Sequence, residues 1–258
     1  MARFTLVKIY LLSTFFTNPF QVSSQNFIAD TSGKAFALHN AVNLYHRFLS
    51  PENGLYDGSE YTYYIYYPYT INEGHPFFQT KDFDTGSVFY NNMLYEKVPL
   101  LFDIVHEELL INDPSHIFII RLNTARIGWF IISGHTFVHL FSDSINHTVL
   151  NPGFYDLLYN GNTSLFKKVS KVLMENTASS EGIKEYIAES DEYFIKKNKQ
   201  YYRIKNKKSL MLIVNSNKKE VEQFIRKNKL NLKKDLDNSL VKIVAYYDGI
   251  NNDKKADN

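Results

Sequence analysis

Two histidines four residues apart, His135 and His139, have the spacing of a zinc-binding pair on a helix. The residues around them (Ile-Ile-Ser-Gly-His-Thr-Phe-Val-His-Leu-Phe) instead alternate as a β-strand does. Residues four apart in a strand share a face but lie about 13 Å from each other, too far to share one metal ion. The pattern therefore predicts two half-buried histidines, and we expect no metal site.

Three acidic residues lie close together in the sequence: Glu73, Asp82 and Asp84. A pair of carboxylates is what glycoside hydrolases use, one as the general acid and the other as the base or nucleophile. Acidic residues in loops between strands are more commonly solvated than catalytic. Hydrolysis with carboxylates near Asp82/Asp84 is therefore the alternative hypothesis.

The sequence lacks the other motifs that would identify a reaction. His106-Glu107-Glu108 begins like a zinc-protease motif, but Leu110 stands where the second histidine is required, so we predict a turn there. There is no phosphate-binding glycine loop and no Gly-x-Ser-x-Gly motif. The absence of cysteine excludes disulfides, thiolate ligands and a cysteine nucleophile. We expect no cofactor and assign no catalytic residue.

The first 24 residues have the pattern of an export signal. Arg3 and Lys8 are positively charged, an apolar run extends from Ile9 to Phe16, and Val22-Ser-Ser24 places small residues before a mature start at Gln25. The apolar run is too short to cross a bilayer, and no later segment reaches 18 apolar residues, so no transmembrane segment is predicted. The pattern predicts export to the periplasm or cell surface.

The composition is that of a globular protein with a substantial core: 44% of the residues are hydrophobic and 22% are charged. Removing residues 1–24 from 258 leaves 234, enough for one large domain or two small ones. An exported chain of this size without cysteine fits a bacterial envelope better than a eukaryotic secretory route.

The expected elements begin with a helix from Lys34 to Leu49, whose apolar residues recur every three or four positions. From about Tyr56 to Leu173 the period changes to two, in short strands separated by tight turns. Asn91-Asn92 and Asn160-Gly161 favour two-residue hairpin turns. Such closely spaced strands predict an antiparallel meander, and whether it forms an open sheet or a barrel is left undetermined.

The C-terminal third is expected to be mixed. Residues 176–191 are polar and predict a loop or a frayed helix, and a hairpin follows from Glu192 to Ile204. Three helical segments come next: residues 207–214, one capped by Asn217 with Glu220 in a capping box, and one from about Lys233 to Tyr247. The remaining residues are polar and predict a disordered tail.

Charge divides the chain into two halves. Residues 25–164 contain 6 Lys/Arg and 14 Asp/Glu, whereas residues 165–258 contain 21 Lys/Arg and 13 Asp/Glu. The basic C-terminal residues occupy polar positions of amphipathic helices, which favours a solvated face, with contact to an anionic envelope surface as the functional alternative. Because we predict export, we expect no nucleic-acid partner. These residues are Lys205, Lys207, Lys208, Lys218, Lys219, Arg226, Lys227, Lys229, Lys233 and Lys234.

Several motifs together resemble a group of exported proteins of Bacteroidota-type bacteria to which no activity is assigned. They are Gly74-His-Pro-Phe-Phe78, residues 86–103, Gly153-Phe-Tyr-Asp-Leu-Leu-Tyr-Asn-Gly161, Tyr201-Tyr202 and Ala245-Tyr-Tyr-Asp248. The resemblance covers most of the mature chain and implies export and a bacterial source. It implies no functional residues.

We therefore predict an α+β fold with an N-terminal helix, a large antiparallel β-meander (sheet or barrel), and a C-terminal β-hairpin plus helices. The predicted organisation is a signal peptide in 1–24, a helix plus meander in 25–175, a hairpin and basic helices docked on it in 176–248, and a disordered tail in 249–258. The predicted function is non-enzymatic binding or scaffolding in the envelope, with an envelope protein or glycan as partner. The alternative is an envelope glycan or peptide hydrolase, and the oligomeric state is left open.

Overall fold

The computed structural model describes residues 54–62, 71–113, 115, 117–141, 150–176 and 184–256. These residues form β-strands followed by helices, as the change of sequence period predicts. The strands are β1 Ser59–Glu60, β2 Ile71–Glu73, β3 Asp84–Tyr90, β4 Met93–Asp103, β5 Glu108–Asn112, β6 Ile119–Arg121, β7 Ile127–Ile132, β8 His135–Leu140, β9 Gly153–Asn160, β10 Ser164–Asn176, β11 Lys184–Lys197 and β12 Gln200–Ile204.

The described strands form one open sheet. Its order is β1-β6-β5-β4-β3-β7-β8-β9-β10-β11-β12, and all neighbours in that order are antiparallel. Strand β2 pairs with β11 in parallel, outside this order. The predicted antiparallel sheet is therefore confirmed and is open, but it is not one continuous meander. Strand β7 pairs with β3 rather than with β6, so β3–β6 and β7–β12 are two separate meanders.

Several hairpin turns use residues that tolerate a positive φ. Asn91 and Asn92 have φ of 53° and 62° in the turn between β3 and β4. Ser133 and Gly134 make the corresponding turn between β7 and β8, with φ of 51° and 78°. Such turns match the twist of antiparallel strands, which explains why asparagine and glycine mark these positions in the sequence.

The sheet curls around an aromatic core. Phe102 of β4 contacts Phe154 of β9 at a ring-centroid distance of 5.7 Å, although three strands separate β4 from β9 in the sheet order. Phe130 and Phe137 lie between them, with centroids 5.0 Å apart. All four side chains are at most 3% exposed. The inner side of the curl is therefore filled by side chains at this place.

Three helices follow the sheet: α1 Lys207–Ile213, α2 Lys218–Lys227 and α3 Leu236–Ala256. Helix α3 buries one apolar face, on which Leu240, Ile243 and Val244 have no exposed surface. These residues share one apolar cluster with Leu165 of β10 and Ile195 of β11. The helical layer therefore packs on the end of the sheet formed by β10 and β11.

Helix α1, rather than α2, has the capping box. The Asn206 side chain accepts a hydrogen bond from the Ser209 backbone N–H at 3.0 Å, and the Ser209 hydroxyl accepts one from the Asn206 N–H. At the start of α2, Asn217 makes no side-chain cap and instead donates to the Asn251 side chain at 3.0 Å. The capping box predicted at Asn217 and Glu220 is therefore wrong: the Asn217 side chain contacts α3 through its Nδ2 and makes no cap of α2.

Two other segments differ from the sequence-based prediction. Residues 184–191, predicted as a loop or frayed helix, extend β11, because each pairs with β10 in unbroken register from Asn176 to Val169. Helix α3 continues to Ala256, where a disordered tail was predicted. Three predicted parts lie outside the described residues: the export signal, the helix from Lys34 to Leu49, and residues 63–70 of the predicted meander.

Candidate functional site

His135, the first residue of β8, is paired with a buried carboxylate. Its Nδ1 lies 2.6 Å from Oδ2 of Asp156, and the two strands that carry them, β8 and β9, are neighbours in the sheet. The Asp156 side chain is 3% exposed and that of His135 is 33% exposed. A carboxylate on Nδ1 orients the ring and leaves Nε2 as the nitrogen that can exchange a proton with another group.

The second ring nitrogen of His135 also has a partner. Its Nε2 lies 3.0 Å from the amide nitrogen of Gln79, whose backbone has a φ of +48°. With the Gln79 amide donating to Nε2, the Nδ1–H of the ring donates to Asp156. The rings of His135 and Phe78 pack in a T-shaped arrangement, with their centroids 5.1 Å apart. A molecule that used Nε2 would have to displace the Gln79 amide.

Burial raises the pKa of Asp156 above its ordinary value. The hydrogen bond from His135 acts in the opposite direction. Lys167, opposite Asp156 in the β9–β10 pairing, also favours the carboxylate through its charge. The arrangement is capable of general acid–base chemistry. It also gives the buried carboxylate of Asp156 a hydrogen-bond partner, as a purely structural pair would.

The acidic residues considered from the sequence, Glu73, Asp82 and Asp84, have different surroundings. Asp84 accepts a hydrogen bond from the Ser133 hydroxyl at 2.8 Å, in the turn that precedes His135. Asp82 is exposed in a loop, and its backbone N–H donates to the Thr80 hydroxyl. Glu73 is exposed in β2. The structure thus connects Asp84 with the turn before His135 rather than with a second carboxylate.

The predicted histidine pair is split between two environments. His135 and His139 lie in the same strand, β8, but His139 packs against Phe154 and Phe141 with centroid distances of 4.8 and 4.3 Å. Its Nδ1 is buried without a hydrogen-bond partner among the described residues. Burial lowers the pKa of His139. In the part of the chain that the structure describes, no three His, Asp or Glu side chains form a group that could hold a metal ion.

Three further polar pairs stabilise the turn between β4 and β5. Asp103, which has no exposed side-chain surface, accepts hydrogen bonds from Tyr61 at 2.6 Å and from His106 at 2.8 Å. Glu107, in the same turn, binds the buried Lys168 of β10 at 2.5 Å. The turn predicted at His106-Glu107 is confirmed, and these contacts connect it to the rest of the fold.

A second candidate site is the basic segment, which we define as residues 205–234. It carries ten Lys and Arg residues and only two acidic ones, Glu220 and Glu222. All ten basic side chains belong to exposed residues, and none forms an ion pair with a carboxylate among the described residues. These charged groups are therefore exposed and have no carboxylate partner in the part of the chain that the structure describes.

An apolar pocket of about 120 Å³ lies at the edge of the basic segment, which contributes five of its lining residues. It lies between the β11–β12 hairpin, the start of α1 and the start of α3. Lys205, Asn206 and Lys207 are the polar residues around it. Its remaining lining consists of Tyr193, Ile204, Leu210, Leu232, Leu236 and Leu240.

Neither Asp156 nor the pocket could be recognised from the sequence. Asp156 lies in the run Phe-Tyr-Asp-Leu-Leu, and the only signal was a carboxylate at an inward position of an otherwise apolar strand. The pocket forms between segments more than ten residues apart, so no local pattern specifies it.

No protein-family model, no curated protein and no solved structure matches the chain in the comparisons with known proteins. None of the helices in the described residues is both long and apolar enough to cross a membrane.

Proposed function

We propose that the chain is an exported, non-enzymatic binding protein of a bacterial envelope, and that its basic segment attaches it to an anionic lipid surface. The observation that carries this proposal is the ten exposed Lys and Arg residues within residues 205–234, without carboxylate partners among the described residues. Export rests on the pattern of residues 1–24 and the bacterial source on the resemblance described above.

The expected strength of this attraction follows from the number of charges. Each Lys or Arg near an anionic membrane contributes about 1 kcal/mol, and the attraction falls off within one Debye length. Only part of a folded surface meets a flat membrane at one time. If about four or five of the ten side chains contact it together, the total attraction is about 4 to 5 kcal/mol. That is weak, reversible attachment that increasing salt should abolish.

The centre of the sheet supports binding rather than hydrolysis at Asp82 and Asp84. A hydrolase of the predicted type needs two carboxylates about 5 to 9.5 Å apart around a cleft. Here the inner side of the curl is filled by Phe102, Phe130 and Phe137, and Asp84 is engaged by Ser133.

Vesicle co-sedimentation of the purified protein tests the proposal. We expect binding to vesicles that contain phosphatidylglycerol, no binding to pure phosphatidylcholine, and release as salt rises from about 0.05 to 0.5 M. Replacing Lys218, Lys219, Arg226 and Lys227 of α2 by Gln should weaken binding more than about tenfold. A control variant replaces three exposed lysines outside the segment, Lys81, Lys97 and Lys199, by Gln.

Two outcomes would overturn the lipid-surface proposal. One is vesicle binding that the α2 substitutions leave unchanged while the three control substitutions reduce it. The other is stronger binding to double-stranded DNA than to anionic vesicles at the same ionic strength, since that would identify a nucleic-acid surface.

A second candidate function is hydrolysis of an envelope glycan or peptide, with the acid–base group moved from Asp82/Asp84 to His135. The observation that favours it is the bond between Nδ1 of His135 and the buried carboxylate of Asp156. If this candidate is correct, His135→Gln should abolish the release of soluble fragments from purified peptidoglycan, whereas Asp82→Asn should not. Absence of fragment release by the unsubstituted protein would eliminate it.

A further inference from the structure

The pocket in the basic segment combines an apolar interior with positive charge at its edge. Leu210 and Leu240, which have no exposed surface, form part of its wall. Leu232 and Leu236 are half-buried beside it. The interior of the pocket is therefore hydrocarbon.

Two of the polar residues around the pocket, Lys205 and Lys207, have ammonium groups available to a ligand. Lys205 and Lys207 are exposed, and neither ammonium group is paired with a carboxylate among the described residues. The Asn206 side-chain oxygen, by contrast, is already used as the cap of α1. The two ammonium groups are therefore the groups available to an anion at the entrance.

We infer that this pocket binds a small apolar carboxylate, with the hydrocarbon end inside and the carboxylate between Lys205 and Lys207. This inference deepens the proposed function, because it names a ligand of the same basic segment. Charge complementarity selects an anionic group at the entrance, and the leucine lining selects hydrocarbon inside.

The volume limits the size of the ligand. An engineered cavity of about 150 Å³ lined by apolar side chains takes up benzene. The pocket, at about 120 Å³, therefore accommodates a chain end or ring of about that size. A full-length membrane acyl chain does not fit, so the ligand is a free short carboxylate rather than a lipid held in a bilayer.

Titration of the purified full-length protein, followed by amide chemical shifts in NMR spectra, tests the inference. Hexanoate is the probe, acetate has the charge without the chain, and hexylamine has the chain with the opposite charge. We expect saturable shifts with hexanoate only, confined to residues around Leu210, Leu232 and Leu236. Equal responses to hexanoate and acetate would overturn the inference, since they would indicate charge attraction alone.

Variants separate the pocket from the basic segment as a whole. Leu232→Phe should fill the pocket and weaken hexanoate binding at least tenfold, while binding to anionic vesicles is unchanged. Lys205→Gln with Lys207→Gln should weaken hexanoate binding similarly, and the matched pair Lys227→Gln with Lys229→Gln should not. The amide spectrum of each variant establishes that it is folded.

The two proposals can fail separately. If hexanoate binding persists in both Leu232→Phe and the Lys205/Lys207 variant, the pocket is not the hexanoate site. That result would not bear on the proposal of vesicle binding. Loss of vesicle binding in the α2 variant, with hexanoate binding retained, supports both proposals.

Discussion

Asp248 of α3 and Thr163 of the β9–β10 loop are 85 residues apart in the chain and joined by a hydrogen bond. The Thr163 backbone N–H donates to Oδ2 of Asp248 at 2.8 Å, and both residues are buried. Gly161 leaves room for this contact, because a Cβ at that position would lie 2.4 Å from the same oxygen. The contact fixes the last helix to the sheet by a buried polar bond as well as by apolar packing.

We expect Asp248→Ala to lower the free energy of unfolding by about 1 to 3 kcal/mol, because it leaves a buried N–H without an acceptor. Chemical denaturation measures the effect. Lys242→Ala, an exposed position of the same helix, is the control and should change stability by less than about 0.5 kcal/mol. Equal effects of the two substitutions would show that the bond does not hold the helix.

The sequence predicted the parts of the fold that depend on local patterns. Period-two alternation and asparagine turns predicted strands such as β7 and hairpins such as the one at Asn91-Asn92, and both are confirmed. The apolar residues around Leu240 predicted a docked last helix, and in the structure Leu240 shares an apolar cluster with Leu165 of β10 and Ile195 of β11. These features are encoded within a few residues of one another, so a single sequence is sufficient to predict them.

Features that depend on distant partners were missed. The strand at residues 184–191 is polar, and its pairing with β10 is what makes it a strand. Asn217 has the residue type of a helix cap, but Asn251 uses its amide. The pairing of His135 with Asp156 similarly joins two strands whose register the sequence does not specify. Local propensity is overridden in each case by tertiary contacts.

Helix α3 should be an essential part of the fold. Leu240 is fully buried among residues of the helices and the sheet, and truncating such a side chain costs about 2 to 5 kcal/mol. We therefore expect Leu240→Ala to lower the melting temperature clearly. Lys233→Ala with Lys234→Ala, at two exposed positions, should leave it almost unchanged. A melting curve unaffected by Leu240→Ala would refute the docked helix.

His139 should make the protein less stable in mild acid. Burial lowers the pKa of His139 below the ordinary value of 6.5, so the unfolded chain binds a proton at a higher pH than the folded one. Above pH 6.5 both states are neutral at this residue and it has no effect on the pH dependence. As the pH falls through 6.5 the unfolded state alone becomes protonated, and the free energy of unfolding decreases.

Replacing His139 by Phe removes this titration and keeps a ring between Phe141 and Phe154. We expect the fall in melting temperature between about pH 7.5 and pH 5.5 to be smaller in His139→Phe than in the unsubstituted protein. The difference in melting temperature between the two proteins at pH 7.5 measures the effect on packing, because His139 is largely neutral there in the folded and the unfolded state. Burial also lowers the pKa of His75, so a remaining acid sensitivity is expected in the variant. Identical pH dependence of the two proteins would mean that His139 takes up its proton as readily in the folded state as in the unfolded one.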